Sequence, residues 1–164
     1  MTPEMEIEAS RLICHRFQAR PEWIDTNRHV NASHYLAFVK EPAMAAHEVW
    51  DYADAFRART GESNFVLESQ VIYLREILEG DDVLVTTRIV GLDRKRMDLL
   101  FEVVNETRGC HAALIRYLVV HVSLGPPPRT KPMPDDLHAR LKREFEAHRR
   151  LPLPAGAERL NRMQ

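Results

Sequence analysis

The densest chemistry in the chain lies in one run, Asp25-Thr26-Asn27-Arg28-His29-Val30-Asn31-Ala32-Ser33-His34-Tyr35. A carboxylate, an amide and an imidazole (Asp25, Asn27, His29) follow one another at two-residue steps. Asn31 is a good helix N-cap, so a helix should start just after it. The first amides of a helix lack internal partners and carry a partial positive charge, which makes that mouth a cradle for a developing oxyanion. A carboxylate beside it can attack a carbonyl, or activate water against one. This is a layout for acyl transfer. The competing reading is that Asp25 and Asn31 only cap the helix and His29 sits at the surface.

The elements that must position these residues can be read from periodicity. Tyr35, Phe38, Val39, Pro42, Ala46, Val49, Trp50, Ala53 and Phe56 recur at three- and four-residue steps, which predicts one long helix with a buried face. Pro42 lacks a backbone donor and clashes with the preceding turn, so a kink or brief break is expected there. Gly61, Ser63 and Asn64 mark the exit. A strand over residues 7–19, closed by Pro21, precedes the motif. Residues 65–78, 83–92, 97–105 and 112–124 read as four further strands. Their connections are short, so neighbours run antiparallel. Gly125-Pro126-Pro127-Pro128 should end the last strand and leave no room for another. Leu137, Leu141 and Phe145 predict a C-terminal helix, and from Leu151 on a loose tail is expected.

The fold class that follows is α+β: a five-stranded antiparallel sheet curled around one long helix, with a C-terminal helix added. Residues 1–128 form the main domain and residues 129–164 an extension. Strands 66–78 and 114–122 carry apolar residues at both parities, so partner subunits are expected to cover part of the outer sheet face.

Composition excludes several classes. With 164 residues, 23 Lys+Arg and 24 Asp+Glu, the net charge is −1, which offers no field for sequence-independent nucleic-acid binding. Two cysteines, Cys14 and Cys110, cannot make a disulfide framework or a clustered metal site, and both read as buried thiols. The acidic first ten residues lack an apolar core, and no stretch approaches the ~20 apolar residues of a membrane span. The expectation is a cytoplasmic protein without nucleic-acid or membrane partners.

Asp25, His29, Val30, Asn31 and Tyr35 match Asp-x-x-x-His-Val-Asn-x-x-x-Tyr, and the chain resembles the hotdog-fold thioesterases, the group that includes 4-hydroxybenzoyl-CoA thioesterase. Asn27 also matches the Asp-x-Asn-x-His-Val-Asn run of plant acyl-ACP thioesterases. The likeness extends to the element order and to Tyr73-Leu74-Arg75 with Gly80-Asp81, covering roughly residues 10–137. It implies a hotdog fold and a thioester hydrolase in which Asp25 is nucleophile or general base, with Asn27 and His29 orienting it or the attacking water. A departing thiol with a pKa near ~8.5 leaves with little protonation, so no Ser-His-Asp set is needed.

The surroundings follow from position. Trp23, Asn31, Tyr35 and Tyr73 are candidates for the acyl site, with core packing the competing job of the aromatics. Glu41 is either a second acid/base group or a solvated helical glutamate, while His34 and His47 read as bystanders. Arg94, Lys95, Arg96, Arg129 and Lys131 are candidates for a basic rim around coenzyme A. No metal or resident cofactor is implied, because the coenzyme A thioester is itself the substrate. Relatives work as dimers, or tetramers built from them, with the site at the subunit interface. The runs Arg20-Pro21-Glu22-Trp23-Ile24-Asp25, Leu74-Arg75-Glu76 and His121-Val122 resemble the thioesterase module fused to some L-carnitine dehydrogenases, which implies a betainyl group. The alternatives are an acyl-ACP thioesterase and a non-catalytic hotdog module that binds acyl thioesters. Hydration of enoyl thioesters is disfavoured by the lack of a Gly-Asp-x-Asn-Pro run.

Overall fold

The computed structural model describes residues 12–161 and 163. Five strands, β1 (Ile13–Gln18), β2 (Glu62–Tyr73), β3 (Asp82–Leu92), β4 (Arg96–Asn105) and β5 (Cys110–Ser123), form one antiparallel sheet in the order β1-β3-β4-β5-β2. The predicted stretch before Leu12 lies outside the described residues. One expectation is corrected: a sixth strand, β6 (Arg129–Thr130), pairs with Val122 and Ser123. The three prolines sit in the connection between strands, so they turn the chain while Arg129 and Thr130 keep the N–H groups that a ladder needs.

Along β3, β4 and β5 the side chains alternate between two faces, as the two-residue strand period requires. Val83, Val85, Ile89, Leu99, Phe101, Val103 and Ile115 point into the main core, while Leu84, Leu100, Val104 and Leu114 belong to clusters on the outer face.

The predicted long helix arrives in pieces. A 3-10 turn (Ala32–His34) leads into α1 (Tyr35–Phe38), then α2 (Lys40–Val49) and α3 (Asp54–Thr60). The first break falls at Val39, ahead of Pro42. The Pro42 ring excludes the carbonyl four residues earlier, that of Phe38, and cannot bond it, so the helix stops there and restarts with the proline inside its first turn. The second break follows Trp50, where Asp51 adopts a left-handed φ of 49°. Gly61, at φ 67°, closes α3 as expected. Across the breaks one apolar face survives: Tyr35, Phe38, Ala46, Trp50 and Phe56 are all buried against the sheet. Helix α4 (Asp135–His148) adds buried Leu137 and Leu141, with Phe145 partly covered.

The expected loose tail is also corrected. Beyond Leu151 the chain crosses the outer sheet face. There the Pro152 carbonyl accepts from Arg88 Nη1 at 2.8 Å, and the Met163 N–H donates to Asp98 Oδ2 at 2.7 Å. Ala157 and Leu160 pack against Leu100, Leu114 and Leu74. Part of the apolar outer face is therefore covered by the chain's own end. Strand β2, at the sheet edge, stays open: Phe65, Val66 and Leu67 are 44%, 51% and 56% exposed.

Candidate active site

The loop before α1 is a closed turn. Ile24 and Val30 form a β-bridge, the Asp25 N–H donates to the His29 carbonyl (3.0 Å), and the Arg28 N–H donates back to the Asp25 carbonyl (2.9 Å). Arg28 takes the left-handed φ of 66° that so tight a turn demands. Asp25 and His29 are thereby neighbours through the main chain.

The Asp25 carboxylate is half-buried and held at both oxygens. Oδ1 accepts the Asn27 N–H at 2.8 Å, and Oδ2 accepts from Asn31 Nδ2 at 3.1 Å. Asn27 thus reaches Asp25 through its main chain, and its residue is exposed. Asn31 is fixed in turn: its N–H donates to the Trp23 carbonyl at 2.8 Å, and its Oδ1 caps the helix entry by accepting the Ser33 N–H at 2.9 Å. The half-buried His29 ring stands 3.3 Å from the Val30 carbonyl, and no hydrogen bond joins it to the Asp25 side chain.

Beside this turn is a hollow of ≈ 310 Å³ lined by His29, Val30, Ala32, Tyr35, Tyr73, Leu74, Arg75 and Glu76. Asp25 is not part of its wall, and His29 is where the motif's polar residues meet it. The Tyr35 and Tyr73 rings meet at 5.0 Å and 89°, and Tyr73 Oη donates to the Ala32 carbonyl at 3.3 Å, tying the end of β2 to the helix entry. Burial, then the neighbouring Tyr73 and Glu76, push the Tyr35 phenol up to about 12.

The other candidates are dispersed. Trp23 packs among Phe17, Phe38 and His34, with the Arg20 guanidinium 5.3 Å above its ring, and lies outside the hollow. Glu41 is exposed in the first turn of α2 and faces Lys40 at 4.0 Å. Arg94 pairs with Asp135 (2.7 Å), Arg96 with Asp93 (2.7 Å) and Lys131 with Glu62, while Arg129 is exposed on β6. These cations share one end of the sheet, because the His121 N–H donates to the Lys95 carbonyl and its own carbonyl accepts from Lys131. That end is not the motif's end. Tyr73 pairs with Ala113, whereas Arg96 pairs with Val120, seven positions and roughly 23 Å further along β5.

Two residues that the sequence marks only as parts of matching runs, Glu76 and His121, have placements it does not indicate. Glu76 faces the hollow. At the far end a buried chain runs from Tyr52 Oη to His121 Nδ1 (2.6 Å) and from His121 Nε2 to Glu62 Oε2 (3.0 Å). Burial pushes the His121 imidazole down, opposed by Glu62. In the sequence His121 stands out as a histidine in an otherwise apolar strand and in the run His121-Val122, and neither indicates the partners Tyr52 and Glu62. Among the described residues, no group of three or more His, Cys, Asp or Glu could hold a metal ion, and no helix is long and apolar enough to cross a membrane. Cys14 and Cys110 are free and half-buried.

Comparison with known proteins agrees with this architecture. The family model of the thioesterase-like superfamily matches residues 19–141. A betainyl-CoA thioesterase of Pseudomonas aeruginosa is 36% identical over 142 residues, covering 85% of this chain and 87% of its own. An L-carnitine dehydrogenase/betainyl-CoA thioesterase of Rhizobium meliloti is 26% identical over 161 residues, 96% of this chain but only 32% of that longer protein. Among solved structures, a Staphylococcus aureus protein in complex with CoA superposes with a TM-score of 0.81 at 20% identity, over 93% of this chain and 96% of that one. A 1,4-dihydroxy-2-naphthoyl-CoA thioesterase from Synechocystis gives 0.67 at 14% identity, over 79% and 95%.

Proposed function

Because the chain belongs to the thioesterase-like superfamily, we propose that it hydrolyses a betainyl or similarly short acyl-CoA thioester to the acid and free CoA, with Asp25 as the reacting carboxylate. The observation that carries the reading is Asp25 itself, half-buried at the helix entry and gripped at both oxygens by Asn27 and Asn31 beside an aromatic hollow. A carboxylate held in one orientation loses little entropy on reaching a bound carbonyl. Asp25 either adds to the thioester carbon and expels the thiolate, water then cleaving the anhydride, or takes a proton from the water that adds. Both routes consume one water and release one carboxylate, one thiol and one proton.

The active form in this proposal is a dimer. Strand β2 has a free edge, and its exposed Phe65, Val66 and Leu67 are an apolar run of the kind that a second copy covers. An isologous antiparallel pairing about the middle of β2 sets the start of one β2 against the end of the other. Glu62, at that start, pairs with Lys131, and Ser123 beside it pairs with Arg129. The basic end of one copy would then reach the Asp25 end of the other, which reconciles a rim and a motif that lie far apart within one protomer. Coenzyme A phosphates would sit on that composite rim.

The test is thiol release from betainyl, short neutral, long, aromatic and acyl-carrier thioesters, with Asp25→Asn as control. Turnover of the short CoA thioesters, reduced at least a hundredfold by the substitution, is expected. A blank panel would favour a module that binds thioesters without cleaving them, and full activity of Asp25→Asn would remove the carboxylate from the chemistry.

A further inference from the structure

We propose that the ring pair formed by Tyr35 and Tyr73, with the Glu76 carboxylate beside it, is the subsite that holds the trimethylammonium group of a betainyl thioester and so sets the acyl specificity. The inference rests on the betainyl-CoA reading above.

A geometric constraint narrows the choice. In a betainyl group the quaternary nitrogen is two bonds from the carbonyl carbon, about 2.5 Å at ordinary bond lengths. Whatever recognises the charge must therefore stand next to whatever attacks the carbonyl. Quaternary nitrogen bears no N–H, so hydrogen bonding cannot recognise it. Ring faces and anionic oxygens can.

Few aromatic side chains of the described residues meet both conditions. Trp50 is 1% exposed in the core, and Tyr52 is bonded to His121 at the far end of the sheet. Trp23 carries Arg20 on its ring and packs on Phe17 and Phe38. Tyr35 and Tyr73 stand together in the hollow that His29 borders, and the His29 carbonyl accepts the Asp25 N–H at 3.0 Å. The two rings meet edge to face, at 5.0 Å and 89°, in the wall of that hollow. Tyr35 is 4% exposed and fixed by packing, while the 49% exposed Tyr73 has its ring held by the bond to the Ala32 carbonyl. Glu76, in the wall of the same hollow, adds the anionic charge.

Arg75 lines the hollow too and brings the opposite charge, with its guanidinium turned towards the Leu74 carbonyl at 3.4 Å. In this reading it opposes the cation, so Glu76 and Arg75 must act with opposite sign.

The test compares betainyl-CoA with 3,3-dimethylbutyryl-CoA, in which carbon replaces the charged nitrogen at equal shape. The quantity read is the ratio of the two kcat/KM values within each variant, so that a general loss of activity cancels. The parent protein is expected to favour betainyl-CoA about tenfold or more, as one desolvated cation–π contact implies. Glu76→Gln and Tyr73→Leu should each bring the ratio down about tenfold, Tyr73→Phe should keep it, and Arg75→Gln should raise it. A parental preference that survives both Glu76→Gln and Tyr73→Leu overturns this subsite and leaves the betainyl reading standing. Equal cleavage of both substrates by the parent overturns the betainyl reading, and with it the subsite. No cleavage of either overturns the short-acyl reading, and with it the subsite.

Discussion

Asn31 donates its side-chain amide to Asp25 Oδ2 at 3.1 Å while its carboxamide oxygen accepts the Ser33 N–H at 2.9 Å. A single residue therefore starts the helix and aims the carboxylate. The two jobs can be separated. Asn31→Ser keeps an oxygen that caps but has no amide to reach Asp25, so its stability should stay within a few tenths of a kcal/mol of the parent. Turnover should nevertheless fall ten- to a hundredfold. Asn31→Ala should lose turnover and about 1 kcal/mol of stability as well. Thermal unfolding and thiol release on both variants check this, and a fully active Asn31→Ser protein would sever the link between cap and catalysis.

His148 sets an acid limit on stability. It is buried, its Nδ1 accepts the Ile89 N–H at 3.0 Å, and burial followed by the nearby Arg88 charge lowers its pKa to about 4. The folded protein thus refuses a proton that the unfolded chain accepts near pH 6.5, so the stabilisation is whole above that pH and drains away as the pH falls towards 4. The loss should be on the order of 3 kcal/mol across that window. His148→Asn keeps an acceptor for Ile89 without the titration, and its stability should vary less between pH 6.5 and 4.5. Urea unfolding at a series of pH values measures the slope; identical slopes would show that His148 does not govern it.

The outer face hides an ion pair whose halves are worth more than the whole. Arg88 and Glu102 are 1% and 4% exposed and bonded to each other, with His111 Nε2 2.9 Å from the other carboxylate oxygen. Glu102→Leu strands a buried guanidinium and should cost about 3–5 kcal/mol. The double change Arg88→Met with Glu102→Leu removes both charges and should recover most of it. Denaturant unfolding of the parent, of Glu102→Leu and Arg88→Met singly, and of the double variant gives the coupling energy, and simple additivity would contradict the pairing.

Leu67→Lys on the open edge of β2 places a charge in the proposed dimer contact. The expected outcome is a monomer by light scattering, with thiol release down at least tenfold, whereas Asp25→Asn remains dimeric and inactive. If the site is shared, mixing Asp25→Asn subunits with Lys131→Ala subunits should restore about a quarter of parental activity, since half the dimers are mixed and each has one intact site. No recovery on mixing would place rim and carboxylate in the same subunit.

Much of the fold was legible because burial repeats at fixed periods. The apolar steps from Tyr35 to Phe56 mark a helix face that is buried at Tyr35, Phe38, Ala46, Trp50 and Phe56, whereas Val49 is corrected to the solvent side at 66% exposed; Gly61 ends the face by its left-handed conformation. Pro42 announced a break but not its place, because the clash acts on the carbonyl of Phe38, a turn upstream. The sixth strand is not legible for a different reason: the prolines show that the chain turns, but not that Arg129 and Thr130 come back to pair with Ser123 and Val122. The tail beyond Leu151 reads as polar and proline-rich, yet Arg88 and Asp98 on the sheet supply partners for its backbone.

The sequence by itself determined the chemistry of the helix entry, since Asp25, His29 and Asn31 fall within one short turn and short-range geometry brings them together wherever the turn is placed. Only the tertiary structure decided what stands around them. Pairing β2 with β5 puts Tyr73 and Glu76 beside His29 and carries the basic residues to the opposite end of the sheet. Strand register is a long-range property, fixed by which faces must be buried together, and no local spacing encodes it.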